Sequence, residues 1–484
     1  MALVGSRRVL RRGAFAAATA GVLLVAACTS SSPSRPKASA PQPAPASASV
    51  SGTGSVSASA GSTAPAPTAS VADWPTYHRT PDRAGNDPAM PAVRAVRRLA
   101  TLKLDGSVYA SPIVVGGRTI VATENDTVYA FDSAYRQVWK VRLGKPSPAQ
   151  ERPCGNIDPL GITGTPVYDA TSGLVYVSPE LGGPPRHELI ALDPATGAVR
   201  WSRSLDLPGV ETKAMQERGA LTVSGGRVWV PFGGLAGDCG GYKGRVVGLR
   251  LDGSGAPVAY TVPTSREAGI WTPPGPAVDA AGDLFVAVGN GASGVGDRYD
   301  HSDSVLKISP TGRLADSFSP TTWPTDNDQD LDLGSQGPAL VGPWVFTAGK
   351  AGTAYVLRRD RLGGIGGQVS KSDVCKSFGG TAVVGDLVYV PCTDGVRAVR
   401  ISAAGTLRVL WHASSDAAGS PVVGGGRVWT VGADGGVLYA LDPTTGRVRE
   451  RVSVGPTSRF ATPAIAGPDV LVPTLAGLTV VRTS

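Results

Sequence analysis

The chain has 484 residues and a formal net charge of +8, and Gly and Pro supply 64 and 40 of its residues. Both are poor in helix interiors, so this composition excludes a helical bundle and leaves two sources for the excess, disorder or many tight turns. The length admits two or three domains of ~100–200 residues or one large repeat array.

Residues 1–28 carry Arg7, Arg8, Arg11 and Arg12 and no acidic residue, followed by a small and apolar run from Ala14 to Ala27. That run is shorter than the ~20 residues of a membrane span, and a basic stretch before a short apolar one predicts a secretory signal. Its end, Leu24-Val25-Ala26-Ala27-Cys28, resembles a bacterial lipobox. The resemblance implies diacylglyceryl transfer to Cys28, cleavage ahead of it, and anchoring at the outer face of the bacterial plasma membrane. The Arg7-Arg8 pair also resembles a twin-arginine signal.

Residues 29–72 are almost wholly Ser, Ala, Pro, Gly, Thr and Val, with Arg35 and Lys37 and no acid. No apolar period is present, so no core can form. The segment reads as a flexible to semi-extended tether. All six cations before residue 73 are unopposed, so the remaining body carries only about +2. The basic balance therefore gives no support to a nucleic-acid partner.

From residue 73 onward one pattern recurs: a small residue, often with Pro, then an apolar strand, a Gly/Asp turn and a second apolar strand. The copies begin at Ser111-Pro112, Thr165-Pro166, Ala220, Gly275-Pro276, Gly337-Pro338, Gly380, Ser420-Pro421 and Thr462-Pro463. Each predicts a β-hairpin. A third strand follows, as in Thr127–Asp132 and Leu438–Asp442, then a turn and a fourth strand ending near Trp139 or Trp201. Four strands per unit, repeated eight times, predict an all-β, eight-bladed β-propeller of four-stranded antiparallel blades. The last copy has three strands. Its missing outer strand is expected from Arg97–Leu104, which closes the ring and hides two sheet edges.

The run Ala-Leu-Asp-x-x-Thr-Gly-x-x-x-Trp at Ala191–Trp201, with partial copies at Ala130–Trp139 and Ala440–Glu450, resembles the tryptophan-docking repeat of quinoprotein (PQQ-type) propellers. The segment Asp73–His78 resembles that family's entry segment. Two branches share the architecture: PQQ-dependent alcohol and sugar dehydrogenases, and non-catalytic BamB-like scaffolds. For the dehydrogenase branch the resemblance implies PQQ over a tryptophan floor, a calcium ion, a cationic polariser and an aspartate base. It implies Trp271 as the floor, Asp238 and Asn290 as metal ligands, and Lys350 as a quinone-binding cation. Asp326, Asp328 or Asp330 would be the base. Arg218, just before an inner strand, is a further candidate at the channel mouth, with Gln216, Glu217, Glu267, Gln336 and Lys376.

Other residues narrow the reading. Cys154 is followed by Gly155, not by the adjacent cysteine that many alcohol dehydrogenases of the family carry, and no Cys-x-x-Cys-His sequence is present. Gly289–Gly294 fits G-x-G-x-x-G but opens no helical pattern, so it does not read as a dinucleotide loop. The acidic loop Asp326–Asp332 reads as a solvated turn. His78, His187, His301 and His412 have no zinc spacing. In an exported chain, Cys154, Cys239, Cys375 and Cys392 predict two disulfides, with three connectivities open. Cys375 and Cys392 lie at the same end of one unit, which favours Cys375–Cys392 and Cys154–Cys239. Both would staple loops on the face that carries the candidate site.

The reading favoured by these features is a lipid-tethered binding or scaffold module of the cell envelope. It would hold an envelope protein or a small ligand at the propeller face. The alternative is a PQQ- and calcium-dependent dehydrogenase.

Overall fold

The computed structural model describes residues 73–414, 416–432 and 435–484. The signal segment, Cys28 and the tether lie outside the described residues.

Eight sheets follow one another along the chain. Blade 1 consists of Ile113–Val115, Arg118–Ala122, Thr127–Phe131 and Gln137–Arg142, ordered from the channel outward. The inner strands of blades 2 to 8 are Val167–Asp169, Thr222–Ser224, Ala277–Val278, Ala339–Val341, Ala382–Val384, Val422–Gly424 and Ala464–Ala466. Inner and middle strands are buried on both faces, as in Thr127–Phe131 and Leu284–Val288. Each sheet is sandwiched between two others, so these strands read as continuous apolar runs. Outer strands alternate instead, as Val448–Ser453 does, because one face meets water.

The ring closes as the sequence predicts, over Val96–Lys103. That strand pairs antiparallel with Gly477–Thr483, placing Arg97 opposite Arg482 and Leu102 opposite Leu478. A single buried cluster runs from Val422 and Val431 of blade 7 through Val472 of blade 8 to Val114 and Val121 of blade 1.

The repeat tryptophans join blade to blade. Trp139 of blade 1 donates through Nε1 to the Pro194 carbonyl of blade 2 at 3.1 Å. Its ring covers Gly197, where a Cβ would lie 2.6 Å from Trp139 Cε3. Trp411 repeats this on Pro443 and Gly446, and Trp201 stacks on Gly253. The glycine of the Thr-Gly turn is thus required twice, by its positive φ and by the indole lying on it.

The hairpin turns after the inner strands mark one end of the channel, the turn end. Connections between blades and between second and third strands mark the other, the loop end. The entry segment crosses the turn end. Asp73 accepts from Gly116 N, and Trp74 and Val114 exchange backbone hydrogen bonds at 2.9 Å. Pro75, Pro81, Ala84 and Gly85 then accept from Tyr168, Val278, Val383 and Val423, on the inner strands of blades 2, 4, 6 and 7. Asn86–Asp87 adds a short parallel strand to blade 7.

Candidate functional site at the loop end

Four loops from blades 3, 4 and 5 surround a cavity of about 410 Å³. Its lining includes Asp238, Tyr242, Glu267, Trp271, Asn290, Asn327, Asp328, Asp330 and Asp332. Backbone bonds knit the loops together: Glu267 N donates to Tyr242 O, Ala268 N to Asn290 O and Gly289 N to Gly269 O.

Lys350 reaches this cluster from blade 5. Its Nζ lies 2.5 Å from Asp330 Oδ1 and 2.6 Å from Asp332 Oδ2. Asp332 Oδ1 accepts from Asn290 N at 2.6 Å, and Asn290 Nδ2 donates to Asp330 Oδ1 at 2.7 Å. Burial raises the Asp332 pKa, against the pull of Lys350. Burial also opposes the Lys350 charge, but Asp332 and Asp330 outweigh it, and the Lys350 pKa is raised. Asp303 is wholly buried behind the cluster. Its Oδ1 accepts from Leu333 N, Oδ2 has no hydrogen-bond partner, and burial pushes its pKa well up. Asp238 accepts from the Tyr242 hydroxyl at 2.6 Å.

Trp271, Asn290, Asp238, Asp328 and Asp330 therefore line one cavity, and Lys350 is ion-paired to its wall. Asp326 does not belong there: its carboxylate turns back to accept from Thr322 Oγ1 at 2.6 Å, and it lines no part of the cavity. The expected solvated turn is instead a short helix, Trp323–Asp328, with Pro324 in its first turn. The helix rotates Asp326 inward and places Asp328 and Asp330 outward. Asp332, two residues past the expected set, is the aspartate that meets both Lys350 and Asn290. The run Gly289–Gly294 serves close packing, since a Cβ on Gly289 would lie 2.4 Å from Asp332 Oδ1.

Arg218 lies over the Trp271 ring at 5.9 Å and the Phe460 ring at 4.6 Å, and Trp271 and Phe460 meet edge to face. Blades 3, 4 and 8 are thus joined at the channel mouth. Both disulfides form as expected, Cys154–Cys239 and Cys375–Cys392, at this same end. Of the other mouth candidates, Glu267 lines the cavity and Lys376 is exposed, whereas Gln216, Glu217 and Gln336 are buried.

A second acidic group, of which only Glu217 was a candidate from the sequence, gathers around the loop Gly161–Gly164. Glu124 accepts from Gly161 N and Thr163 Oγ1. Asp126, Glu180 and Glu217 are buried and approach the same loop or its neighbours, with His187 between Glu180 and Asp206. In the sequence these acids are scattered over three units, Glu124 and Asp126 in one turn and Glu180 and Glu217 far along the chain, so no spacing marks them as a group.

Residues 100–231 and 363–483 match a family model described as outer membrane protein assembly factor BamB, PQQ_2. These segments make up just over half of the chain. The chain belongs to this family of PQQ-type repeat propellers. No curated protein matches it. Among solved structures, quinohemoprotein alcohol dehydrogenase from Comamonas testosteroni is similar with TM-score 0.65 and 17% identity, over 85% of this chain and 80% of that one. BamB from Moraxella catarrhalis is similar with TM-score 0.56 and 20% identity, over 81% of this chain and 100% of that one. The computationally designed Ika8 protein is similar with TM-score 0.51 and 14% identity, over 79% and 98%. At these identities the likeness is one of fold.

Proposed function

We propose that this BamB-type propeller is an exported, lipid-tethered binding module of the cell envelope that presents its loop end to a partner protein or small ligand. The observation that carries this reading is that the groups expected to serve a quinone and a calcium ion are already committed to one another. Lys350 is neutralised by Asp330 and Asp332, Asn290 bonds to both of those residues, and Asp238 holds Tyr242. Among the described residues, no three His, Cys, Asp or Glu side chains group as metal ligands. A quinone bearing three carboxylates would meet a wall with five acidic side chains, with Lys350 engaged by two of them and Arg218 stacked on the Trp271 and Phe460 rings outside the lining. The residues present do not fit that cofactor. The disulfides and the signal-like N-terminus support an extracytoplasmic location.

The dehydrogenase reading is favoured by one observation, the convergence of Trp271, Asn290, Asp238 and Lys350 on one cavity. Titrating purified protein with PQQ and calcium separates the two. The expected result is no saturable change in quinone absorbance and no dye reduction with alcohols or sugars. Saturable binding with turnover would sink the purely binding role. Metabolic labelling with a fatty acid tests the anchor, with Cys28→Ser expected to abolish incorporation.

A further inference from the structure

Charge on the folded body is distributed unevenly. Segments 88–104 and 425–484, which build blades 7 and 8, hold ten Lys and Arg against four Asp and Glu. The body as a whole carries only about +2, so the other blades are net acidic by about −4. The excess is concentrated on two neighbouring outer strands, Val96–Lys103 and Val448–Ser453, which share a half-buried apolar seam through Leu99, Leu102 and Val452. Along the first, Arg97, Arg98 and Lys103 are exposed, and Arg94 is exposed just before it. Along the second, Arg449 and Arg451 are exposed. The nearby carboxylates are already used: Asp442 by Arg449 and Glu450 by Arg427. Arg94, Arg97, Arg98 and Lys103 have no ion-pair partner among the described residues.

The described chain begins between blade 1, where Asp73 accepts from Gly116 N, and blade 8, next to this strip. Asp73, the first described residue, lines a cavity with Gly467, Pro468, Asp469 and Arg482 of blade 8. Arg482 stands opposite Arg97 in the sheet. If residues 29–72 act as the tether expected from their composition, those 44 residues would have an r.m.s. span of roughly 35–40 Å.

We propose that the outer strands of blades 7 and 8 form a docking surface for anionic phospholipid. This rests on the reading of the chain as membrane-tethered. The tether would hold the strip at high effective concentration near the bilayer. Each cation near an anionic surface would add a modest, salt-screened attraction. The net-acidic blades and their cavity would then be turned away from the membrane, toward a partner.

The test uses the full chain carrying Cys28→Ser, which removes acylation and so separates this surface from the anchor. Sedimentation is compared on vesicles of phosphatidylcholine alone and with about 30% phosphatidylglycerol. Preferential binding to the anionic vesicles is expected, lost near about 0.5 M salt. Adding Arg94→Glu, Arg97→Glu, Arg98→Glu and Lys103→Glu is expected to weaken binding about tenfold or more. A set with Arg94→Lys, Arg97→Lys and Arg98→Lys should retain it, and an unchanged thermal midpoint confirms folding of each. If the glutamate set does not fold, glutamine at the same four positions replaces it. Equal binding to both vesicle types, or no loss on charge reversal, overturns the proposal. So does binding to a soluble polyanion without binding to vesicles, which would assign the strip to another class of partner. If fatty-acid labelling fails while the vesicle result holds, the anchor reading falls and the surface stands.

Discussion

Arg83 Nη2 donates to the Leu221 carbonyl at 3.0 Å, linking the entry segment to the start of blade 3. The same guanidinium donates to Pro276 O at 3.1 Å, Tyr77 O at 3.1 Å and Thr76 Oγ1 at 2.6 Å. It is buried among neutral acceptors, and burial lowers its pKa to about 10, which still leaves it charged at neutral pH. The family-like entry segment thus acts as a bolt across the turn end, with Arg83 bonding where blades 3 and 4 begin.

Arg83→Met should leave three backbone carbonyls unpaired in a dry site. A loss of about 3 kcal/mol or more is expected, read as a lower denaturant midpoint. A variant as stable as the parent would show that water replaces the guanidinium.

The indole–glycine contact should be equally sensitive from either side. Trp411→Ala removes a large side chain at the joint between blades 6 and 7 and should cost about 3–5 kcal/mol. Gly446→Ala places a methyl group where Trp411 Cε3 already lies, at 2.4 Å from the ideal Cβ, on a backbone with φ of +70°. The double variant should cost less than the sum of the two, because the clash disappears with the ring.

The disulfides close loops of different length, with sequence separations of 85 and 17. On chain entropy alone, removing Cys154–Cys239 as a serine pair should cost about 4–5 kcal/mol and removing Cys375–Cys392 about 3 kcal/mol. Thermal unfolding of the two double-serine variants checks the order.

Breaking the Lys350 ion pairs should destabilise the cavity wall. Lys350→Met strands the buried Asp332 carboxylate, with an expected cost of about 3–5 kcal/mol. Adding Asp332→Asn should recover much of it. If Lys350→Met alone is neutral, Asp332 takes up a proton instead, and the cost should then appear only as pH rises.

The acidic group around Gly161–Gly164 should make stability depend on pH. Burial lifts Asp126 to about 9 and Glu124 to about 7, and pushes Glu217 well above its ordinary value. A raised folded-state pKa means the native chain binds the proton more tightly than the unfolded one. The stability from these groups is full below their ordinary values near 4 and is lost as pH rises through about 7 and 9. His187 has the same sign. Burial opposes its charge, but Asp206 and Glu180 raise it to about 10, so its share is lost from about pH 6.5 upward. The thermal midpoint should fall between mildly acidic and mildly alkaline pH, and Asp126→Asn should flatten that fall. A flat profile in the unsubstituted chain would contradict the assignment.

The blade count, the strand order and the late closure of blade 8 were legible in the chain itself. Each depends on local alternation and on turns such as Asp193–Gly197, whose signals lie within a few residues. The two disulfides were legible too, because only one pair sat at the same end of a single unit. The cavity was legible in part. Trp271, Asn290 and Lys350 follow strand ends whose position the repeat sets, but Asp326 was misplaced and Asp332 passed over. A single helical turn at Trp323–Asp328 decides which carboxylates face Lys350, and its orientation depends on packing against blade 4. The bolt formed by Arg83, the buried group around Glu124 and the basic strip on blades 7 and 8 came only from the tertiary structure. They join residues tens to hundreds of positions apart, and only ring closure brings Arg97 beside Arg482 or Arg83 beside Leu221.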